Sequence, residues 1–332
     1  MRVFINGFGR IGRSVLRAWL LSRDHWPDLE IVGINDIAAP EMCAYLFGYD
    51  SVFGPWRGDV RAGDGALIVD GRRILLTRVA DLAALDLSHV DLVMECTGRA
   101  ESAAIAQAGL RAGARRVLIS GPSAAANVTV VLGANEADLG AQKIVSNASC
   151  TTNALAPLVR LLDEAFGVVT GTMTTIHCYT GSQPTVDAPR GKGGVDDFTR
   201  SRAAALSMVP TTTSAQRLVD QVLPDLAGRI EGSAVRVPVA SVSAVDLAVM
   251  LARPAQADAI NAALRAGSLV AGIIGVTDLP LVSSDLRARA ESIVMALPET
   301  RVTRGGMARV FGWYDNEWGF SNRMLDMAVR MR

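Results

Sequence analysis

The chain has 332 residues, half of them apolar and 20% charged, with 33 Lys and Arg against 33 Asp and Glu. That length suggests two domains or one large α/β unit, and the balanced composition excludes disorder, a basic nucleic-acid footprint and a membrane-surface patch. No apolar run suits a membrane span and the first residues carry no signal-peptide pattern, so a cytoplasmic protein with neither nucleic acid nor membrane as partner is expected.

The first half alternates strand and helix signals. Arg2 to Asn6 predicts a strand, a Gly-rich turn follows, and Val15, Leu16, Trp19 and Leu20 mark a helix. A second strand is predicted over Glu30 to Asp36, and others over Asp91 to Met94, Arg116 to Ser120, Val128 to Leu132 and Lys143 to Ser146, with a helix from about Ala100 to Ala112. This order implies a doubly wound parallel sheet of the Rossmann type.

After Cys150 the pattern changes. A helix runs to about Phe166, a Thr-rich strand covers Gly171 to His177, and a polar loop spans Gly181 to Gly194. Strands over Ser233 to Pro238, Ser243 to Leu251 and Ala308 to Trp313 suggest a mostly antiparallel sheet, backed by helices near Thr213 to Leu223 and Ala255 to Ala266. A last amphipathic helix is predicted over Phe320 to Met331. The expected division is a dinucleotide-binding domain over 1–149, completed by 316–332, and an α+β catalytic domain over 150–315.

Gly7-Phe8-Gly9-Arg10-Ile11-Gly12 is a GxGxxG string placed directly between a strand and a helix. Its glycines permit a tight turn, backbone approach of a pyrophosphate and close helix packing, while the helix start offers positive potential. Asp36 lies 24 residues past Gly12, where a carboxylate would bind a ribose 2'-hydroxyl and repel a 2'-phosphate. NAD is the expected cofactor.

Two lysines, Lys143 and Lys192, leave no P-loop. Three histidines (His25, His89, His177) and four cysteines (Cys43, Cys96, Cys150, Cys178) form no CxxC or HExxH, so no metal is expected. Cys150 sits where a strand meets a helix, within Ser146-Asn147-Ala148-Ser149-Cys150-Thr151-Thr152-Asn153. Helix-start NH groups there should lower its pKa, making it the candidate nucleophile. His177 ends a strand and is the candidate base, since His25 and His89 lie in polar connections. Cys178 lacks a helix-start setting and is expected to be inert. A thiolate, an imidazole and NAD together specify aldehyde oxidation through a thiohemiacetal and a thioester.

In this order, these residues resemble the phosphorylating glyceraldehyde-3-phosphate dehydrogenase family along essentially the whole chain, from Asn6–Arg13 to Trp313-Tyr314-Asp315-Asn316-Glu317. The resemblance implies Cys150 as nucleophile, His177 as its base and Asn316 as holder of the nicotinamide carboxamide. It further implies Arg10, Ile11, Asp36 and Ser120 along NAD, with Arg78 a looser alignment. Thr180 and Arg236 would hold the substrate phosphate, and Ser149, Thr151, Thr213 and Ser214 the attacking inorganic phosphate. A homotetramer is implied, its Gly181 to Arg202 loop reaching a neighbour's cofactor.

The chain departs from the family pattern where an arginine usually serves the attacking phosphate: Thr199 stands there, with Arg200 next to it, and Ser214 replaces a glycine. Two alternatives follow. One is an erythrose-4-phosphate or other anionic-aldehyde dehydrogenase that releases a free acid. The other is a non-catalytic NAD-binding regulatory protein.

Overall fold

The computed structural model describes residues 1–192, 194–268 and 272–332; Gly193, within the expected polar loop, lies outside them. Two compact units result: Met1–Ser149 with Phe320–Arg332, and Cys150–Gly319.

The first unit opens with β1 (Arg2–Asn6), α1 (Arg10–Leu21), β2 (Glu30–Asn35) and α2 (Pro40–Gly48). β3 (Val60–Gly63), β4 (Ala66–Val69) and β5 (Arg72–Thr77) follow as two antiparallel hairpins. Then come β6 (Leu92–Glu95), α3 (Ala103–Ala106), α4 (Ala108–Arg111), β7 (Arg116–Ile119), β8 (Val128–Thr129) and β9 (Ile144–Ser146). Among the described residues they form one nine-stranded sheet in the order β3-β4-β5-β2-β1-β6-β7-β9-β8, parallel from β5 to β8.

β1, β6 and β7 are apolar almost throughout and buried on both faces, as a parallel sheet covered by helices requires. α1 buries Val15, Leu16, Ala18 and Trp19. Truncating a buried indole of that kind costs about 3–5 kcal/mol.

In the second unit, α5 (Cys150–Phe166) leads into β10 (Val168–Cys178), and β11 (Gly191–Lys192) pairs with β12 (Val195–Asp196) inside the expected loop. β13 (Val209–Thr211), α6 (Ala215–Val222), β14 (Ile230–Val237), β15 (Ser243–Leu251) and α7 (Ala257–Ser268) come next. β16 (Ile274–Thr277), β17 (Ile293–Ala296), β18 (Arg301–Val302) and β19 (Met307–Tyr314) complete this unit, and α8 (Trp318–Arg330) belongs from Phe320 onward to the first. The large sheet runs β13-β14-β10-β15-β19-β17-β16 with β18 on β19. It is mostly antiparallel, but β10 pairs with β14, and β16 with β17, in parallel.

Local differences from the sequence expectation have physical causes. The Ala100–Ala112 helix splits into α3 and α4 at Gln107, and Gly109 packs so tightly that a Cβ there would meet Val117 and Val93 at 2.9–3.1 Å. The Val128–Leu132 strand stops at Thr129: the Val130 NH still reaches the Ser146 carbonyl, but Val131 turns into bonds with Ala134 and Asn135. β3, β4 and β5 escaped notice because they are short and lie on the sheet's antiparallel edge.

Candidate active site

In the first unit the GxGxxG turn is built as its residue types demand. Gly7 takes φ 93°, and a Cβ there would lie 2.7 Å from the Thr97 nitrogen. A Cβ on Gly12 would lie 2.1 Å from the Gly7 carbonyl oxygen, so only glycine lets α1 start this close to the turn. Gly9, by contrast, has no protein atom within 4 Å of its Cβ position. It leads the chain into α1 with extended backbone. These three roles suit a pyrophosphate resting on Gly9.

Gly7, Gly9, Asp36, Asn6, Thr97 and Arg99 border a cleft of about 530 Å³. Asp36 follows β2; one carboxylate oxygen accepts the Phe8 NH at 2.6 Å and the other the Ala38 NH at 2.9 Å. The acid is thereby fixed beside the turn.

Under the turn lies a polar row absent from the sequence expectation. Asn6, Asn35 and Glu95 end β1, β2 and β6 and stand in register. Asn6 Nδ2 donates to Glu95 at 2.5 Å, and Asn35 Nδ2 donates to Asn6 Oδ1 at 2.9 Å. Glu95 also accepts the Thr97 NH at 2.9 Å and the Thr97 hydroxyl. Burial pushes this carboxyl above its ordinary pKa while those donors pull it down. The signal was readable: each of three apolar strands ends on a polar residue.

Other expected cofactor residues do not line the cleft. Arg10 pairs with Asp50 and lies over the Phe53 ring at 5.5 Å, while Ile11 is half-buried in the first turn of α1. Arg78 is exposed and donates to the Ile37 carbonyl at 2.9 Å. Ser120, just past β7, donates its NH to the Glu95 carbonyl at 3.0 Å and bonds the Cys96 thiol.

In the second unit Cys150 is the first residue of α5 and stays partly open to solvent. The turn before it is tight: buried Ala148 takes φ 55°, which costs a non-glycine residue about 1–3 kcal/mol. Ser149 is half-buried beside the thiol residue.

β10 alternates so that Met173, Thr175 and His177 share its inner face. The parallel pairing sets His177 opposite Arg236 of β14. Cys150 Sγ then lies 3.7 Å from His177 Nε2. On the far side of the ring, Nδ1 is 2.7 Å from the Cys178 carbonyl oxygen, and Arg236 Nη1 lies 2.9 Å from Nδ1 and 3.0 Å from that same carbonyl. With its proton on Nδ1, donated to the carbonyl, the ring turns a bare Nε2 lone pair to the sulfur. With Arg236 donating to Nδ1, Nε2–H faces the sulfur instead. The surroundings support both tautomers that a proton shuttle needs.

The thiol itself corrects the sequence expectation. Burial pushes the Cys150 pKa above its ordinary value, more than Arg236, the Thr151 hydroxyl and the helix-start NH groups pull it down. Burial also lowers His177 to about 4, aided by the charge of Arg236. Near neutrality the pair is therefore thiol and neutral imidazole, not thiolate and imidazolium.

Tyr314, missed from sequence, ties the site together. Only 2% exposed, its hydroxyl bonds Thr151 Oγ1 at 2.9 Å and Thr175 Oγ1 at 2.7 Å, and its ring stands edge-on to His177. Thr151 is thus held inward. Asn316, 7% exposed and in this second unit, accepts from the Cys178 thiol at 3.0 Å and the Ser243 hydroxyl at 3.4 Å. Burial pushes the Cys178 thiol up to about 12.

The remaining polar residues gather on nearby segments. Thr180 lies two residues past β10, its hydroxyl 2.9 Å from Ser182. Thr213 accepts the Ala215 NH at 3.1 Å, capping α6, whereas exposed Ser214 makes no side-chain cap bond. Thr199 turns its hydroxyl back to Asp197 at 3.1 Å. Arg200 instead reaches across, donating to Thr211 Oγ1 at 2.8 Å and the Thr212 carbonyl at 3.3 Å. Its charge is felt at both His177 and Arg236.

Comparison with known proteins decides the family. A model described as glyceraldehyde 3-phosphate dehydrogenase, NAD binding domain, matches residues 1–103, and one described as glyceraldehyde 3-phosphate dehydrogenase, C-terminal domain, matches 149–316. The chain belongs to the glyceraldehyde-3-phosphate dehydrogenase family. It is 46% identical over 334 residues to the glyceraldehyde-3-phosphate dehydrogenase of Cereibacter sphaeroides, covering 100% of this chain and 98% of that protein. The same coverage holds for the Xanthobacter flavus protein of that name at 46% over 336 residues, and for that of Zymomonas mobilis at 45% over 340. The expected family, its two-part α/β architecture and NAD as cofactor all stand. No helix among the described residues is long and apolar enough to cross a membrane.

Proposed function

We propose that this chain oxidises glyceraldehyde 3-phosphate with NAD and inorganic phosphate, and that Cys150 carries the acyl group between the two half-reactions. The observation that carries the reading is the 3.7 Å approach of Cys150 Sγ to His177 Nε2, at the start of a helix in a chain of this family. NAD, when bound, supplies the acceptor for the hydride that leaves the substrate carbon.

His177 takes the thiol proton as sulfur bonds to the aldehyde carbon and returns it to the new hydroxyl, giving a thiohemiacetal on Cys150. The same nitrogen then receives the hydroxyl proton as the carbon loses hydride, leaving a thioester. Inorganic phosphate attacks that carbonyl, the carbon–sulfur bond breaks, and His177 reprotonates the departing sulfur. Arg236 and Thr180 suit the substrate phosphate by their chemistry, a permanently charged planar fork and a hydroxyl just past the end of β10.

Ser149, Thr151, Thr213 and Ser214 are the family's positions for the attacking phosphate, and Arg200 supplies the charge that Thr199 lacks. Support comes from its guanidinium, which is bonded to the two residues before Thr213. Gly9 and Asp36 carry the cofactor's pyrophosphate and ribose on the turn that Gly7 and Gly12 shape, Arg10, Ile11, Arg78 and Ser120 are the family's further positions around it, outside the cleft lining, and Asn316 holds its carboxamide. The working form is a cytoplasmic homotetramer with neither nucleic acid nor membrane as partner, a reading supported by balanced charge and the full-length family match.

NADH formation measured at 340 nm with and without inorganic phosphate tests the reaction. Turnover must require phosphate and favour glyceraldehyde 3-phosphate over erythrose 4-phosphate. Phosphate-independent turnover would restore the acid-releasing alternative. Absence of NADH with both aldehydes would leave the regulatory one.

A further inference from the structure

We propose that a cleft at the far end of α1 binds a small oligophosphate, through Arg23 and Arg72. This cleft, about 530 Å³, is bordered by Arg23, Trp56, Asp70, Arg72 and Arg73, all in the first unit and separate from the lining of the cofactor cleft. Its volume suits a small metabolite.

Arginines on a protein surface generally have an acid partner or point freely into water. Arg23 is exposed and Arg72 half-buried, and neither has an acid partner among the described residues, yet both are held in place. Their guanidinium carbons lie 5.1 and 5.6 Å from the centroid of the same buried indole, Trp19, which fixes both by cation–π attraction. Among the described residues neither side chain has a hydrogen bond or a carboxylate partner. Two guanidiniums are thus held over one indole with their N–H donors free of protein partners, and a bound anion could engage both.

The one carboxylate on the wall does not answer them. Asp70 accepts Trp56 Nε1 at 3.0 Å and the Asp59 NH at 2.8 Å. Arg73 leans outward to Asp64, with a hydrogen bond to its carbonyl at 3.1 Å and an ion pair at 3.9 Å. Two separated forks call for two anionic centres, and planar guanidinium matches phosphate oxygens. A single carboxylate would engage one fork only.

Inorganic tripolyphosphate is the probe, with NAD kept saturating so that the cofactor cleft does not compete. Phenylglyoxal modification of the intact protein, read by peptide mass, should slow at Arg23 and Arg72 by roughly tenfold when tripolyphosphate is ten times its Kd, while exposed Arg304 is modified at an unchanged rate. Calorimetry should then show Arg23→Gln and Arg72→Gln each weakening this binding about tenfold, with NAD affinity and turnover unchanged. Equal protection of Arg304, no protection at Arg23 and Arg72, or protection of both by single-stranded RNA and not by tripolyphosphate would overturn the proposal. So would full affinity in the double variant.

Discussion

Replacing Arg236 by Gln tests how the reactive sulfur acquires its charge. Arg236 Nη1 lies 2.9 Å from His177 Nδ1, and Nε2 of the same ring lies 3.7 Å from Cys150 Sγ. End to end, these contacts and the width of an imidazole hold the guanidinium within roughly 9 Å of the sulfur, where a unit charge at an effective dielectric near 20 is worth about 1.8 kcal/mol. That is roughly twentyfold in favour of thiolate at any pH below the thiol pKa. His177 would become easier to protonate in the variant, but burial, the larger cause of its low pKa, remains. The ring stays neutral at pH 7 and offers no compensating charge. The assay is the second-order rate of Cys150 alkylation by iodoacetamide from pH 6 to 11, with Cys43, Cys96 and Cys178 buried and slow. Arg236→Gln should react roughly twentyfold more slowly at pH 7 and converge with the unaltered protein at high pH. An equal or faster rate at pH 7 would refute the reasoning.

The glycine turn separates folding from binding. Gly12→Ala, whose methyl would meet the Gly7 carbonyl at 2.1 Å, should lower thermal stability by about 1–3 kcal/mol or more, whereas Gly9→Ala should change it by less than about 1 kcal/mol yet weaken NAD binding at least tenfold by titration calorimetry. His177 titrates at about 4 when folded against an ordinary 6.5, so the unfolded chain binds the extra proton between those values. Its contribution is present above pH 6.5 and lost as pH falls toward 4, about 3 kcal/mol in all, and denaturant unfolding of His177→Gln should lack that part of the acid destabilisation. Arg200→Ala should raise the KM for inorganic phosphate by about ten- to a hundredfold with the KM for NAD unchanged; steady-state kinetics showing a normal phosphate KM would remove Arg200 from the acceptor site.

Legibility in the sequence followed the range of the forces involved. The GxGxxG turn was readable because each glycine answers a local steric demand, visible at Gly7 and Gly12 as contacts no Cβ could survive. Parallel strands announce themselves as apolar runs between helices. The row of Asn6, Asn35 and Glu95 depends on which strand lies beside which, and adjacency is a property of topology. Arg236 was expected to hold phosphate. Its place against the His177 ring follows from β10 and β14 running parallel within a mostly antiparallel sheet, and neither strand's own residues state that direction. Tyr314 was hidden for a similar reason: its hydroxyl joins Thr151 and Thr175 across 163 and 139 positions of chain.

The misjudged pKa of Cys150 exposes a competition that position alone does not resolve. A helix start favours thiolate, but the same packing that brings His177 and Tyr314 close removes water, and desolvation outweighs the NH groups. Burial drives thiol and imidazole both toward their neutral forms, so an ion pair between them is disfavoured twice. Arg236 breaks that symmetry: its charge stabilises an anion on sulfur and opposes a cation on the ring. Negative charge developing on Cys150 is therefore answered by a permanent guanidinium, and the imidazole stays free of charge to accept a proton. A base that must take a proton at each turnover is better kept neutral at rest, which the low pKa of His177 ensures.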